Sequence, residues 1–281
     1  MPEVTDILES PLFVIGPGRG GTTHLQQLLL ADPRFCGGQE SHFFEAFASV
    51  LDQFDRKLSA ERTHGLGCYW RREDLVGQLR EFWRLTFTEC VIQKPGAGLL
   101  VEKTPSHSRY ISVIDQVLPK ARFLHIVRDS RAVAASLMAA YRAGWGKSWA
   151  AGTARGAADQ WNRSIATALE GSRRLSNNRY LRIKYEDLLK DQASTMNAVY
   201  RWLGQEPAAP ESGPELGGMW FGGELLNSKP DEPHGFVRRR GVLGWRKELR
   251  WWEQQLVWWM TRRQMTILGY SKHACESGPN P

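Results

Sequence analysis

The first apolar run of the chain, Leu12-Phe13-Val14-Ile15, is continuous rather than alternating, which predicts a short strand buried on both faces of a parallel sheet. A glycine-rich stretch follows over residues 16–21. Leu25, Leu28 and Leu29 then recur at helical spacing until Asp32-Pro33 ends the helix. Further short strands are predicted at 99–102, 121–127 and 180–184, the second centred on Phe123-Leu124-His125-Ile126-Val127. A helix rich in small residues is predicted from about 131 to 141, and Tyr185-Glu186-Asp187-Leu188-Leu189 turns into another. Strands alternating with helices predict an α/β fold, a single domain with a central parallel sheet flanked by helices. Ligands of such sheets bind beyond the carboxyl ends of the strands. Gly16, Lys103 and Arg128 each lie just past a predicted strand end, so they are expected to converge on one crevice.

Three regions depart from this alternation. Residues 50–95, rich in Arg, Glu, Trp and Phe, are predicted to be mostly helical. Residues 204–235 hold many Gly and Pro and predict a long loop, the kind of segment that forms a lid or substrate wall. Residues 245–268 predict a helix with Leu249, Trp252, Leu256 and Trp259 on one face and Trp251 and Trp258 on an adjacent stripe. That pattern is read as a helix packed on the sheet through a wide apolar face rather than as an aromatic substrate platform. The nucleotide-binding core is expected over about 11–204, with a lid loop and helix over about 205–270, in one domain covering 1–281.

Composition narrows the ligand. A formal net charge of +7 favours anions. The longest basic run is Arg238-Arg239-Arg240 and the other cations are dispersed, which argues against a nucleic-acid binder. Cys36, Cys68, Cys90 and Cys275 have no metal-site spacing and read as free thiols of a reducing compartment. No apolar stretch is long enough to span a membrane, and the first ten residues do not resemble a signal peptide. A cytoplasmic protein is expected, and its oligomeric state is not readable.

The chemistry starts at Gly16-Pro17-Gly18-Arg19-Gly20-Gly21-Thr22-Thr23. A P-loop requires Gly, four residues, Gly, Lys, then Ser or Thr. Gly16, Gly21 and Thr23 meet that spacing, but Thr22 stands at the lysine position. Strand, glycine-rich turn and helix in that order supply N–H groups able to cradle an anion. Without the lysine that grips the outer phosphates of a nucleoside triphosphate, and with Arg19 as the local cation, the loop points to a phosphate-like group other than ATP. A P-loop kinase or NTPase with a displaced lysine is the enzymatic alternative, with Asp129 as its candidate Mg2+ ligand. A non-catalytic nucleotide-binding module is the other.

Three further segments stand in order after this loop. They are Val101-Glu102-Lys103-Thr104-Pro105-Ser106-His107, then 125–137 with Arg128-Asp129-Ser130 and Ser136, then Arg182-Ile183-Lys184-Tyr185-Glu186-Asp187-Leu188-Leu189. Together the four resemble the sulfotransferases that use 3'-phosphoadenosine 5'-phosphosulfate (PAPS), especially the bacterial and Golgi branch that includes the tyrosylprotein enzymes. The likeness runs from about residue 12 to 204, with a weaker echo near Arg240. It implies that Arg19, Gly20, Gly21, Thr22 and Thr23 form a P-loop-like 5'-phosphosulfate loop. Arg128 and Ser136 match the pair on the 3'-phosphate, although Ser130 stands where the motif has Pro. Tyr185 matches a residue near the nucleotide. Arg240 and Gly241 match a second 3'-phosphate segment, which here lacks the usual acidic residue before Trp245.

The same resemblance implies sulfuryl transfer from PAPS to an acceptor hydroxyl, with 3'-phosphoadenosine 5'-phosphate (PAP) as product and no metal. Lys103 and Arg19 match the cations on the leaving phosphate, and Glu40 the carboxylate general base, with His42 as competitor. The acceptor is expected to be a small molecule, natural product or glycolipid rather than a protein tyrosine. Phe43, Phe44, Trp70, Trp83, Trp220 and Phe221 suit either its walls or a hydrophobic core.

Overall fold

In the computed structural model the described residues are 3–58, 69–206, 219–221, 224–226 and 242–272. Helix α1 (Val4–Glu9) leads into strand β1 (Leu12–Ile15), and the glycine-rich turn opens α2 (Thr22–Leu30). Strand β2 (Phe35–Cys36) is followed by two long helices, α3 (Phe43–Leu58) and α4 (Arg72–Ile92). Strand β3 (Leu99–Glu102) passes through a 3-10 turn (Pro105–Arg109) into α5 (Ile111–Val117) and β4 (Arg122–Val127). Helices α6 (Ser130–Arg142) and α7 (Ala154–Ser172) precede β5 (Tyr180–Lys184), α8 (Tyr185–Lys190) and α9 (Gln192–Leu203). After these come β6 (Met219–Phe221), β7 (Glu224–Leu226), α10 (Trp245–Glu248) and α11 (Trp251–Ile267).

Strands β1 to β5 form one parallel sheet in the order β2-β3-β1-β4-β5. All four residues of β1 are buried because helices cover both faces, which is why the run is apolar without alternation. Phe13 and Ile15 point into a cluster with Phe44, Trp83, Phe123 and Ile114. Leu12 and Val14 point the other way, against Leu25, Leu29, Leu188 and Val199. Trp83 is fully buried with its indole N–H donating to the Leu8 carbonyl at 2.9 Å, so its apolar burial carries no unpaired donor. A third cluster joins α6, α7 and α11 through Val133, Leu137, Trp161, Val257 and Met265.

The strand order decides where a ligand can enter. Chain leaving β1 crosses to β2 on one side, whereas chain leaving β4 crosses to β5 on the other. The crevice at this reversal lies beyond the ends of β1 and β4.

The C-terminal region differs from its sequence-based reading in two ways. Its helix is broken, because Leu249 is extended and Arg250 begins a new helix as N-cap, its N–H bound by Glu253 at 2.8 Å. The long piece, α11, packs on α6 and α7 rather than on the sheet, through Glu253, Val257, Thr261 and Met265. Trp251, Trp252 and Trp259, read as core, are exposed. The stretch 204–235, read as one long loop, contains the antiparallel ribbon of β6 and β7.

Candidate active site

The loop after β1 is shaped by backbone conformations that only glycine adopts cheaply. Gly21 has φ 103°, and a Cβ there would lie 2.3 Å from the Tyr185 ring. At Gly16 a Cβ would meet the Ile126 carbonyl oxygen at 2.4 Å. The turn closes when the Gly20 N–H donates to the Pro17 carbonyl at 2.8 Å. Gly21 is the N-cap of α2 and brings no side chain to the first-turn N–H groups, which leaves them for an anion. Arg19 is itself left-handed, at φ 67°, a conformation costing a non-glycine residue about 1 kcal/mol or more.

Arg19, Arg128, Ser136 and Tyr185 meet here from the loop after β1, the end of β4, α6 and the start of α8. Arg19 Nε donates to Ser136 Oγ at 3.1 Å, and its guanidinium lies 5.2 Å over the Trp145 ring. Arg128 donates from its guanidinium to the Arg19 carbonyl at 3.1 Å and stacks 4.4 Å over the Tyr185 ring. The Arg128 carbonyl is held by the buried Trp161 indole N–H at 3.0 Å. Burial and the neighbouring Arg128 charge both push the Arg19 guanidinium below its ordinary value, with Glu40 acting in the opposite sense. Two cations, a hydroxyl and a glycine-lined helix N-terminus fit a phosphorylated nucleotide by charge and by donor type.

A second group lies beyond β2 and β3. Lys103 Nζ is 2.5 Å from Glu40 Oε1, and the lysine side chain is only 5% exposed while the glutamate is 36%. His42 Nε2 sits 3.6 Å from the other Glu40 oxygen, and its Nδ1 is 2.8 Å from Glu45 Oε2. Glu45 also accepts from Ser106 and Arg109. His42 has φ 51°, so the loop that presents Glu40 is bent at the following element.

Behind this pair is a buried network whose residues drew no role from sequence. Glu102 accepts from Ser41 Oγ at 2.8 Å, Thr104 Oγ1 at 2.6 Å and His107 Nδ1 at 2.8 Å. The Phe44 N–H points at His107 Nε2, 3.2 Å away, which requires the proton on Nδ1. Burial works to raise the Glu102 carboxyl, but the His107 ring and the two hydroxyls outweigh it and hold it below its ordinary value. Ser41 adjoins Glu40, and Thr104 adjoins Lys103. Glu102 therefore ties the two loops together from beneath. A carboxylate ending an apolar strand, with Thr and His within five residues, was the available signal. Trp145 had no such signal.

Other candidates fall differently. Asp129 caps α6 and gives both carboxylate oxygens to the buried Arg131, at 3.0 and 2.6 Å, so it has none to spare for a cation. This removes the anchor of the kinase reading. Ser130 stands at the first position of α6, where a proline would also fit, and its hydroxyl pairs with Thr261 of α11 at 2.8 Å. Thr22 is buried at the start of α2. Arg240 and Gly241 lie outside the described residues. Of the aromatics, Phe43, Phe44 and Trp83 belong to the core, and Trp70 is half exposed. Cys36 and Cys90 are buried free thiols. Among the described residues no cluster of three metal-ligating side chains occurs, and no helix is long and apolar enough to cross a membrane.

Known proteins align with this arrangement. A model described as the sulfotransferase family matches residues 11–209. An omega-hydroxy-beta-dihydromenaquinone-9 sulfotransferase of Mycobacterium bovis is 25% identical over 71% of this chain and 64% of its own. A protein-tyrosine sulfotransferase of Drosophila melanogaster is 26% identical over 69% of this chain and 38% of its own. The chain thus spans less than two thirds of the length of these curated relatives. Among solved structures, the sulfotransferase domain from the Synechococcus olefin synthase superposes with a TM-score of 0.59 at 19% identity, covering 93% of this chain and 95% of that one. That likeness is one of fold.

Proposed function

Since the chain belongs to the sulfotransferase family, we propose that it moves a sulfuryl group from PAPS to an acceptor hydroxyl, releasing PAP. The observation that carries this reading is the meeting of Arg19, Arg128 and Ser136 at the β1–β4 crevice, beside a carboxylate–lysine pair. In the reaction the acceptor oxygen bonds to sulfur, the bond from sulfur to the 5'-phosphate oxygen breaks, and the acceptor proton goes to a base.

Each residue has a part in that step. Gly21, Thr22 and Thr23 hold the 5'-phosphate through backbone N–H groups at the start of α2, and Gly20, whose own N–H closes the turn on Pro17, shapes the loop around it. Arg128 and Ser136 take the 3'-phosphate, and Tyr185 backs the Arg128 guanidinium. Arg19 Nε is on Ser136, so Arg19 is within reach of either phosphate and turns toward the leaving group as charge develops there. Lys103 moves from Glu40 to the leaving phosphate oxygen. Glu40, relieved of its lysine, accepts the acceptor's proton. Arg240 and Gly241 would add to the 3'-phosphate site.

The acceptor is proposed to be a small-molecule hydroxyl, as on a natural product or glycolipid. The relatives are named for a hydroxylated menaquinone and for protein tyrosine, both hydroxyl acceptors, which suits a single carboxylate base. Calorimetric titration with PAP, with ADP and ATP-Mg2+ as controls, tests the donor. Metal-independent preference for PAP is expected. Preference for ATP-Mg2+, or no nucleotide binding, would overturn the reading.

A further inference from the structure

The outward face of α11 takes no part in sulfuryl transfer as described above. A helix on a protein surface ordinarily turns polar residues to water. On α11 the exposed positions include Trp251, Trp259 and Trp252, at 76%, 64% and 44% exposure, and Ile267 at 57%. Interleaved with them on the same face are the exposed Arg262 and Arg263. The helix has one acidic residue, Glu253, and it is turned inward as part of the N-terminal capping box. From Trp251 to Ile267 the strip is roughly 24 Å long.

The cations and rings are arranged together. The Arg262 guanidinium lies 5.6 Å over the Trp259 ring. Beside them is a surface cleft of about 440 Å³, lined by Trp258, Trp259, Arg262 and Lys272 among others. At the other end of the helix, exposed Lys247 and Arg250 extend the positive charge.

We propose that this face docks on the surface of an anionic lipid bilayer, with the indoles at headgroup level and the arginines on lipid phosphates. Indole rings join an apolar body to an N–H donor and partition to that level. Guanidinium is weakly hydrated and matches phosphate with paired donors. A second copy of the chain fits poorly, since two-fold pairing would bring two net-positive faces together with no exposed acid on α11 to offset them. The helix lies on the membrane and does not cross it. It packs on α6, the helix bearing Ser136, so docking would hold the nucleotide site at a fixed distance from the bilayer. The proposal stands apart from the donor assignment.

The test is flotation of the full chain with vesicles of mixed phosphatidylglycerol and phosphatidylcholine, against vesicles of phosphatidylcholine alone. The native chain is expected to float with the anionic vesicles and to be released by salt. Arg262→Glu with Arg263→Glu should weaken that binding at least roughly 25-fold, about fivefold for each cation lost and more for the repulsion of the two carboxylates gained. Trp251→Ser with Trp259→Ser should weaken it at low salt, where the native chain stays bound, because the indoles no longer enter the headgroup layer. All four side chains are exposed, so the variants should keep the melting temperature and PAP affinity of the native chain. Quenching of the native chain's tryptophan fluorescence by brominated lipid is a readout that needs no variant. Absence of flotation and quenching, or native-like binding by both variants, would overturn the proposal. So would a native dimer that the arginine reversals convert to monomer, since the face would then be an interface between copies.

Discussion

At the ends of β1 and β4 two guanidiniums, Arg19 and Arg128, come together on a serine, a tyrosine ring and a backbone carbonyl, with no carboxylate in salt-bridge contact among the described residues. At the ends of β2 and β3 a lysine already lies 2.5 Å from a glutamate, and the layer beneath is a fully partnered carboxylate network. Both are clusters of charge at strand ends of one sheet. They differ in whether the protein neutralises its own charge. The β1–β4 cluster carries surplus positive charge against desolvation and mutual repulsion, as the depressed Arg19 guanidinium records, and that energy is recovered only when an anion enters. The β2–β3 cluster is self-neutral at rest and suits a step in which a proton and a cation exchange places. On the proposed function, the surplus charge serves binding and the paired charge beside it serves chemistry. Arg131, three residues beyond Arg128 in the first turn of α6, gives the contrast. It spends its donors on Asp129 and the carbonyls of Ser271 and Lys272, between the Trp245 and Trp258 rings, and so is structural.

The largest effect that separates the two clusters is expected from Glu40→Gln. Turnover should fall by ~10²–10⁴ while PAP affinity, measured by calorimetry, stays close to native. Retained turnover would instead give the proton to His42, whose ring stands 3.6 Å from the same carboxylate. Lys103→Met comes next, with a loss of ~10²–10³ in turnover at saturating donor. A loss confined to KM would make the lysine a binding group. Arg128→Ala acts on the other cluster. PAP affinity should weaken roughly 10- to 100-fold, as for a lost charged hydrogen bond, with the pH dependence of turnover unchanged. Native affinity in that variant would remove Arg128 from the 3'-phosphate.

The smallest effect tests the sheet that carries both clusters. His125 sits buried in β4 with Nδ1 2.5 Å from the Tyr180 hydroxyl and, among the described residues, no partner on Nε2. Burial, aided by the Arg182 charge, pushes its imidazole down to about 3. The folded protein then binds a proton less readily than the unfolded chain, whose histidine titrates near 6.5. The neutral ring's contribution is therefore present above 6.5 and is lost as the pH falls toward about 3. Urea unfolding across that window should show a stability slope of at most about 1.4 kcal/mol per pH unit from this group. His125→Leu should flatten it, and an unchanged slope would point to other groups.

Much of this architecture was legible in the chain. Strands β1, β3 and β4 announce themselves because parallel strands covered on both faces need largely apolar runs, whereas β5, at the sheet edge, alternates apolar and basic residues. The glycines at 16 and 21 mark positions where a side chain would collide with Ile126 or Tyr185. Gly16, Lys103 and Arg128 stood out by their places just past strand ends, and Arg19 as the cation within the glycine-rich loop. The tryptophans of α11 were misplaced for a physical reason. Hydrophobic spacing reports that a face is apolar but not whether protein covers it, and α11 buries Val257 and Met265 while turning Trp251 and Trp259 outward. Glu102 was overlooked because a charged residue at a strand end is read as the exit to solvent, whereas here it is 2% exposed.

The sequence by itself determined the elements and the loop chemistry, since local backbone limits and apolar periodicity act over a few residues. Only the tertiary structure decided the pairings. Glu40 and Lys103 are 63 positions apart, and Arg19 and Ser136 are 117 apart. Contacts at that range depend on the order in which strands lie in the sheet, which no short window of residues contains.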